Sequence, residues 1–218
     1  MCRLCLTLQE PPEADACVSC TSQRDVAARA KRHELLPEKC VQAGLPPRYR
    51  SIDVMIDPAL LPYATNGRGL FLNGPAGVGK TVTVCRLAVA SYQRWADLGG
   101  TDPGWKFLSF PAFVMELQDA WRKEATEDTA LALLKKAAAV SHLILDDLGA
   151  EKLTEFVRQA VYYLLNEREQ WVRPTVITSN FSLAQLDTQF DSRISSRIAG
   201  MCDVKAMKGA DRRLVKKA

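Results

Sequence analysis

Along most of the chain, short apolar runs alternate with stretches whose apolar residues recur every three or four positions. Gly69-Leu-Phe-Leu-Asn73 is a short apolar run ahead of a glycine loop and predicts a strand. Thr81 to Trp95 predicts a helix, and Trp105 to Phe110 a second strand. Phe113, Leu117, Ala120 and Trp121 share one helix face; Trp121 reads as core, with stacking on single-stranded DNA beside Arg122 and Lys123 as the alternative. Leu131 to Val140 predicts a further helix, and His142 to Asp146 a strand of the buried type. Phe156, Ala160, Val161, Leu164 and Leu165 give another apolar helix face, and Pro174 to Thr178 a strand opened by proline. Apolar strands alternating with helices predict an α/β fold: a mostly parallel sheet covered on both faces.

The first 40 or so residues break this rhythm. Residues 1 to about 24 carry four cysteines, and 25 to 40 read as a short charged helix ended by Pro37. GLPPRYRSIDV, from Gly44, reads as extended, because each proline disfavours helix in the residue before it. The expected organisation is a small unit over 1–40 and one larger domain over 44–218.

Composition adds limits. Hydrophobic residues make up 47% of the 218 and charged residues 25%, enough apolar material for a core. No apolar run approaches the length of a membrane span, so no membrane partner is expected. The N-terminus lacks a signal-peptide pattern, which predicts a cytoplasmic protein. Net charge is +4, which permits nucleic-acid contact without requiring it. Residues 205–218 carry six Lys/Arg and one Asp, readable as a solvated tail or as a phosphate-contacting segment.

The glycine loop carries the first chemistry. Gly74-Pro75-Ala76-Gly77-Val78-Gly79-Lys80-Thr81 fits G-x-x-x-x-G-K-[ST], with a strand before it and a helix after it. The glycines let backbone N–H groups approach phosphate oxygens, and the helix N-terminus adds partial positive charge. Lys80 is expected at the β- and γ-phosphates of ATP, and the Thr81 hydroxyl on Mg²⁺. The apolar run before Asp146 and Asp147 points the same way, because acids at a buried strand end need a partner or a metal. Asp146 is expected to face Mg²⁺ and Asp147 to orient the attacking water. Asp147 reaches about 1.5 Å less far than the glutamate common at this position. Misplacing a water by about 1 Å can cost on the order of a hundredfold in rate, so the reading is of a slow, switch-like ATPase.

Further along, the apolar strand before Thr178-Ser179-Asn180 nominates Asn180 to hold that water; its plainer role is a turn residue or helix cap. Arg193 and Arg197 lie four apart on one helix face, either solvated or offering a guanidinium to a neighbouring subunit's ATP. Arg213, in Gly209-Ala-Asp211-Arg212-Arg213, is a second arginine that could reach the nucleotide. The two C-x-x-C pairs, Cys2/Cys5 and Cys17/Cys20, bring four thiolates within reach of one structural Zn²⁺. Two disulfides, an Fe–S cluster and free thiols are the alternatives. Cys40, Cys85 and Cys202 read as small buried hydrophobes.

The order of GLPPRYRSIDV, GPAGVGKT, LILDDLGAEK, PTVITSN, SRISSRI and KGADRR resembles the AAA+ helicase loaders of the DnaC/DnaI type and the IstB-type transposition ATPases, over about residues 44–214. The resemblance implies an ASCE-type P-loop NTPase core that assembles as a homo-oligomer in a row or ring, with ATP between subunits. It implies a protein that binds single-stranded DNA and helps a replicative DNA helicase onto it. It maps Gly74, Gly79, Lys80 and Thr81 onto Walker A, Asp146 and Asp147 onto Walker B, and Thr178 to Asn180 onto sensor 1. Arg197 matches the arginine finger better than Arg193, Arg213 matches sensor 2, and Tyr49 to Ile52 match the segment against the adenine. Members carry either Asp-Asp or Asp-Glu at Walker B. By the same resemblance, residues 1–40 would contact the helicase, with nucleic acid as the rival ligand. Three other functions compete: a transposase-associated DNA ATPase, a zinc adaptor that binds ATP without hydrolysing it, and a metabolic P-loop kinase.

Overall fold

The computed structural model describes residues 18–50, 56–64, 68–122, 127–150, 154–189 and 191–214. Five strands form one wholly parallel sheet: β1 (Gly69–Asn73), β2 (Trp105–Ser109), β3 (His142–Leu148), β4 (Thr175–Ser179) and β5 (Cys202–Ala206), in the order β2-β3-β4-β1-β5. The helices are α1 (Val18–Gln42), α2 (Lys80–Leu98), α3 (Phe110–Arg122), α4 (Glu127–Ala139), α5 (Glu155–Gln170), α6 (Leu183–Gln189) and α7 (Ser192–Met201).

The continuous apolar strands divide between two cores by simple alternation. Phe71, Leu143, Leu145 and Ile177 point to one face, where they meet α3, α4, α5 and α7 through residues such as Phe110, Leu117, Leu164 and Ile194. Leu70, Leu72, Ile144 and Val176 point to the other, against Leu36 and Cys40 of α1 and Val84, Leu87 and Ala88 of α2. Burial on both faces is why these strands carry no polar alternation. Cys40, Cys85 and Cys202 are all buried, as expected of small hydrophobes.

Three expectations are corrected. First, α1 does not stop at Pro37 but runs through it to Gln42. Proline there removes one helical hydrogen bond. Leu36 and Cys40, one turn apart, are both buried against α2, and that burial outweighs the loss. The first half of α1 is different: residues 24–31 are all exposed. Among the described residues its polar ties are to Asp97 and Ala96, which take Arg29 Nη2 (2.6 Å), His33 Nε2 (3.0 Å) and, on the Ala96 carbonyl, Arg32 Nε (3.0 Å). Second, Trp121 is 53% exposed rather than core, with its ring 5.2 Å from that of Phe156. Third, Pro47–Tyr49 within GLPPRYRSIDV is a short 3-10 helix rather than extended; the basic stretch from Lys205 starts at the end of β5, an edge strand with Cys202 buried.

Arg168 of α5 is fully buried without a carboxylate among its partners. Its Nε donates to Thr175 Oγ1 (2.8 Å). Its Nη1 donates to the carbonyls of Ala137, Ala138 and Val140, and its Nη2 to those of Ser141 and Pro174. These carbonyls end α4 and precede β3 and β4, so one guanidinium caps a helix and braces the roots of two central strands. Burial pulls its pKa down to about 9, which leaves it charged at neutral pH.

Candidate nucleotide site

All five strands end on one side, and the loops there gather the predicted residues. β1 runs into the glycine loop, which delivers Lys80 and Thr81 as the first two residues of α2. Lys80 is 7% exposed, and its ammonium donates to the carbonyls of Gly74 (2.7 Å) and Pro75 (2.9 Å) and to Asn180 Oδ1 (2.7 Å). Burial lowers its pKa, and the charges of Asp147 and Asp146 oppose that shift.

Asp146 lies between two threonine hydroxyls. Thr81 Oγ1 donates to both of its oxygens (3.0 and 3.1 Å), and Thr178 Oγ1 donates to Oδ1 (2.7 Å). Burial raises the Asp146 pKa, and the bonds from Thr178 and Thr81 pull against it. A carboxylate and a hydroxyl in contact are the hard oxygen donors that Mg²⁺ takes beside phosphate, so these residues fit that ion. Among the described residues no cluster of three or more His, Cys, Asp or Glu could hold a metal.

Asp147 shows a feature the sequence concealed. The β3–β4 register shifts between Leu145 and Leu148, so both acids sit in a bulge. Asp147 has φ +64°, in the left-handed region. Asp and Asn enter that region more readily than longer side chains, because their short polar groups can bond locally. Hydroxyls replace the lost ladder: Asp147 N donates to Thr178 Oγ1 (2.9 Å), and Ser179 Oγ donates to the Leu148 carbonyl (2.7 Å). Asn180 Nδ2 donates to Asp147 Oδ1 (3.2 Å), so Asn180 links Lys80 to Asp147. It does not cap α6, because Ser182 and Gln185 form a reciprocal capping box there (Gln185 N to Ser182 Oγ, 3.3 Å; Ser182 N to Gln185 Oε1, 2.8 Å).

After β5 the chain crosses the glycine loop. Met207 N donates to the Asn73 carbonyl (2.7 Å) and Arg212 N to that of Gly77 (3.1 Å). Gly77 has φ +76°, and a Cβ there would lie 1.8 Å from Asp211 Oδ1, so a glycine is needed for the crossing segment as well as for phosphate approach. Arg212 and Arg213 line a pocket of about 180 Å³ together with Lys80, Asp147, Asn180 and Tyr49. A larger cleft, about 730 Å³, runs along the outer edge of β2 and contains none of these residues. Arg197 does not line the small pocket. Its Nη1 pairs with Glu169 Oε2, its Nη2 donates to Tyr162 Oη (2.8 Å), and it lies 4.7 Å from the centre of the Tyr162 ring. Arg193 sits 5.2 Å from the same ring and pairs with Asp191 (2.7 Å).

Cys2, Cys5 and Cys17 lie outside the described residues, as do Ser51, Ile52 and the Cys20 side chain, whose backbone is in the first turn of α1. Sequence reasoning missed Thr178 as an individual and Arg168 altogether. The hydroxyl at the end of a buried strand was the available signal for the first, and nothing in the polar run Asn166-Glu-Arg-Glu-Gln170 marks the second.

Comparison with known proteins extends these observations. The replicative helicase loader DnaI of Bacillus subtilis (strain 168) is 27% identical over 186 residues, covering 78% of this chain and 56% of that protein. The chain thus spans just over half the length of that relative. The crystal structure of the DnaC helicase loader superposes with a TM-score of 0.60 at 22% identity, over 75% of this chain and 100% of that one. That of DnaI gives 0.54 at 25% identity, over 75% and 90%. No helix among the described residues is long and apolar enough to cross a membrane. A family model described as IstB-like ATP binding protein matches residues 42–218, and the chain belongs to that family.

Proposed function

We propose that the protein is an ATP-driven loader that places a replicative DNA helicase on single-stranded DNA. The observation that carries the ATP half of this reading is the pair of linked chains at the strand ends, Lys80–Asn180–Asp147 and Thr81–Asp146–Thr178. Residues 74–81 and Arg213 hold the triphosphate, with Tyr49 beside the base. Thr81 and Asp146 would hold Mg²⁺, which would neutralise phosphate charge. Asp147 accepts a hydrogen bond from the attacking water, and Asn180 fixes that carboxylate against Lys80. Hydrolysis to ADP and phosphate is slow, because the short acid limits how closely the water is held.

Arg197 acts across a subunit boundary on a neighbour's nucleotide, in a row or ring of copies. Its bonds to Glu169 and Tyr162 keep the guanidinium ordered while it waits there. Residues 1–40 form a Cys₄ zinc unit with Cys2, Cys5, Cys17 and Cys20 and dock the helicase. The loader half rests on likeness to DnaI. Its test is capture of a replicative helicase by this protein with ATP, with ADP, and after deletion of residues 1–17, which leaves Leu36 and Cys40 of α1 in the core. ATP-sensitive capture that needs the N-terminal unit is expected. Membership of the IstB-like family keeps a second reading, the transposase-associated ATPase that the sequence resemblance also implies. Failure to capture helicase under every condition would select it.

A further inference from the structure

We infer that Thr178 is the residue that positions both Walker B acids, so that the metal sensitivity of nucleotide binding depends on its hydroxyl. This rests on the Mg·ATP reading of the site, and it concerns a residue distinct from the one expected to touch the water, Asn180.

The geometry is specific. Thr178 is 1% exposed at the end of β4, and its single hydroxyl does two things at once. Its proton goes to Asp146 Oδ1 at 2.7 Å, and its lone pair accepts from Asp147 N at 2.9 Å. A hydroxyl donates and accepts through one atom; a methyl does neither, and an ammonium cannot accept. The two bonds fall within the β3–β4 bulge, where the ladder is interrupted and the backbone alone fixes neither acid. Asp147 is there held at φ +64°, a conformation that persists only where its surroundings over-determine it. Ser179 closes the far end of the bulge by donating to the Leu148 carbonyl, but reaches neither acid.

Thr178 also differs from the other hydroxyl on Asp146. Thr81 opens α2 beside the glycine loop and is itself an expected Mg²⁺ ligand, whereas Thr178 stands behind the carboxylate on a central strand. It has no path to the phosphates except through Asp146 and Asp147. Partners of this kind orient a ligand that touches the metal, and removing them typically lowers metal affinity by about 10- to 100-fold.

The test is binding of a fluorescent ATP analogue to the full chain, measured in EDTA and with Mg²⁺, together with thermal melting in EDTA. The variants are Thr178→Val, which keeps the shape, Thr178→Ala, which leaves room, and Thr178→Ser, which keeps the hydroxyl. Val and Ala should lower the gain on adding Mg²⁺ by about tenfold or more, well beyond any change in EDTA. Ser should restore the native gain. A native gain in the Val and Ala variants would overturn the proposal. So would an equal loss with and without Mg²⁺, or loss of the melting transition, either of which would make Thr178 a residue of the fold only. A native chain that binds the analogue in neither condition would instead refute the ATP reading beneath it.

Discussion

Replacing Arg168 by methionine keeps an unbranched side chain of similar length and removes the guanidinium. Six acceptors then lose a donor, but they do not suffer equally. Ala138 O retains Arg173 Nη1 (2.7 Å), Pro174 O retains Leu143 N (3.2 Å), and Thr175 Oγ1 keeps its own bond to Arg173 O (3.0 Å). The carbonyls of Ala137, Val140 and Ser141 are left, and of their bonds only that of Val140 is short, at 2.9 Å against 3.3 and 3.4 Å. Ser141 is exposed and its carbonyl can turn to water, so at about 1–3 kcal/mol for each of the other two acceptors the gross loss is roughly 2–6 kcal/mol. Relief from burying a charge offsets part of this, leaving about 3 kcal/mol. For a domain of this size that is a melting temperature lower by roughly 6–12 °C. Arg168→Lys should do no better, since one ammonium with three donors cannot span acceptors on three segments. Guanidinium-chloride unfolding followed by circular dichroism measures both variants. A lysine variant with the native midpoint would refute the reasoning, because it would show that charge alone, and not the planar fork, braces the sheet.

Asp147→Glu carries the carboxylate about 1.5 Å further toward the water and should speed ATP turnover without weakening ATP binding; unchanged or slower steady-state hydrolysis would count against the short acid as the cause of slow turnover. Arg197→Ala should abolish the stimulated part of hydrolysis while leaving nucleotide affinity intact, and lost affinity would remove Arg197 from the boundary role. The Asp191 carboxylate is held at about 2 by its bonds from Arg193, so it contributes stability above its unfolded value of about 4, and that contribution disappears as pH falls from there through about 2. The melting temperature of Asp191→Asn should therefore trail the native value at neutral pH and converge on it in acid. Burial raises the thiols of Cys40, Cys85 and Cys202, the last to about 12, so a thiol reagent at pH 8 should leave them untouched in the native state. A zinc unit predicts four further thiols that react only after chelation, with metal release read by a zinc-sensitive dye.

Much of the site was legible because its chemistry needs particular residues at fixed spacing. The loop 74–81, the acids after an apolar run and Asn180 at a strand end stand out by composition alone, and the structure brings them together. The strands were legible because burial on both faces leaves unbroken apolar runs. What stayed hidden depended on contacts between distant segments. Pro37 looks like a helix end until Leu36 and Cys40 are seen buried against α2. Cys202-Asp-Val-Lys-Ala206 does not read as a strand because only one face of an edge strand meets the core. Trp121 has the spacing of a core residue but sits in the last turn of α3, where Phe156 covers one side of it. The left-handed Asp147 is set by Thr178, 31 residues away, which no local pattern records.

The exposed half of α1 has a mechanical consequence. Among the described residues Leu36 is the first of that helix buried against α2, and the helix from there back to Val18 is about 27 Å long at 1.5 Å per residue. α2 is the helix that begins with Lys80 and Thr81. Any tilt that the glycine loop imposes on α2 is therefore handed to a lever. A pivot of about 5° at Leu36 would sweep Val18 through roughly 2 Å. Among the described residues the brake is the cluster on Asp97, built from exposed ion pairs of the kind that salt loosens. Whatever residues 1–17 grip would feel small changes at the phosphates as a displacement, and the gearing would grow softer as ionic strength rises.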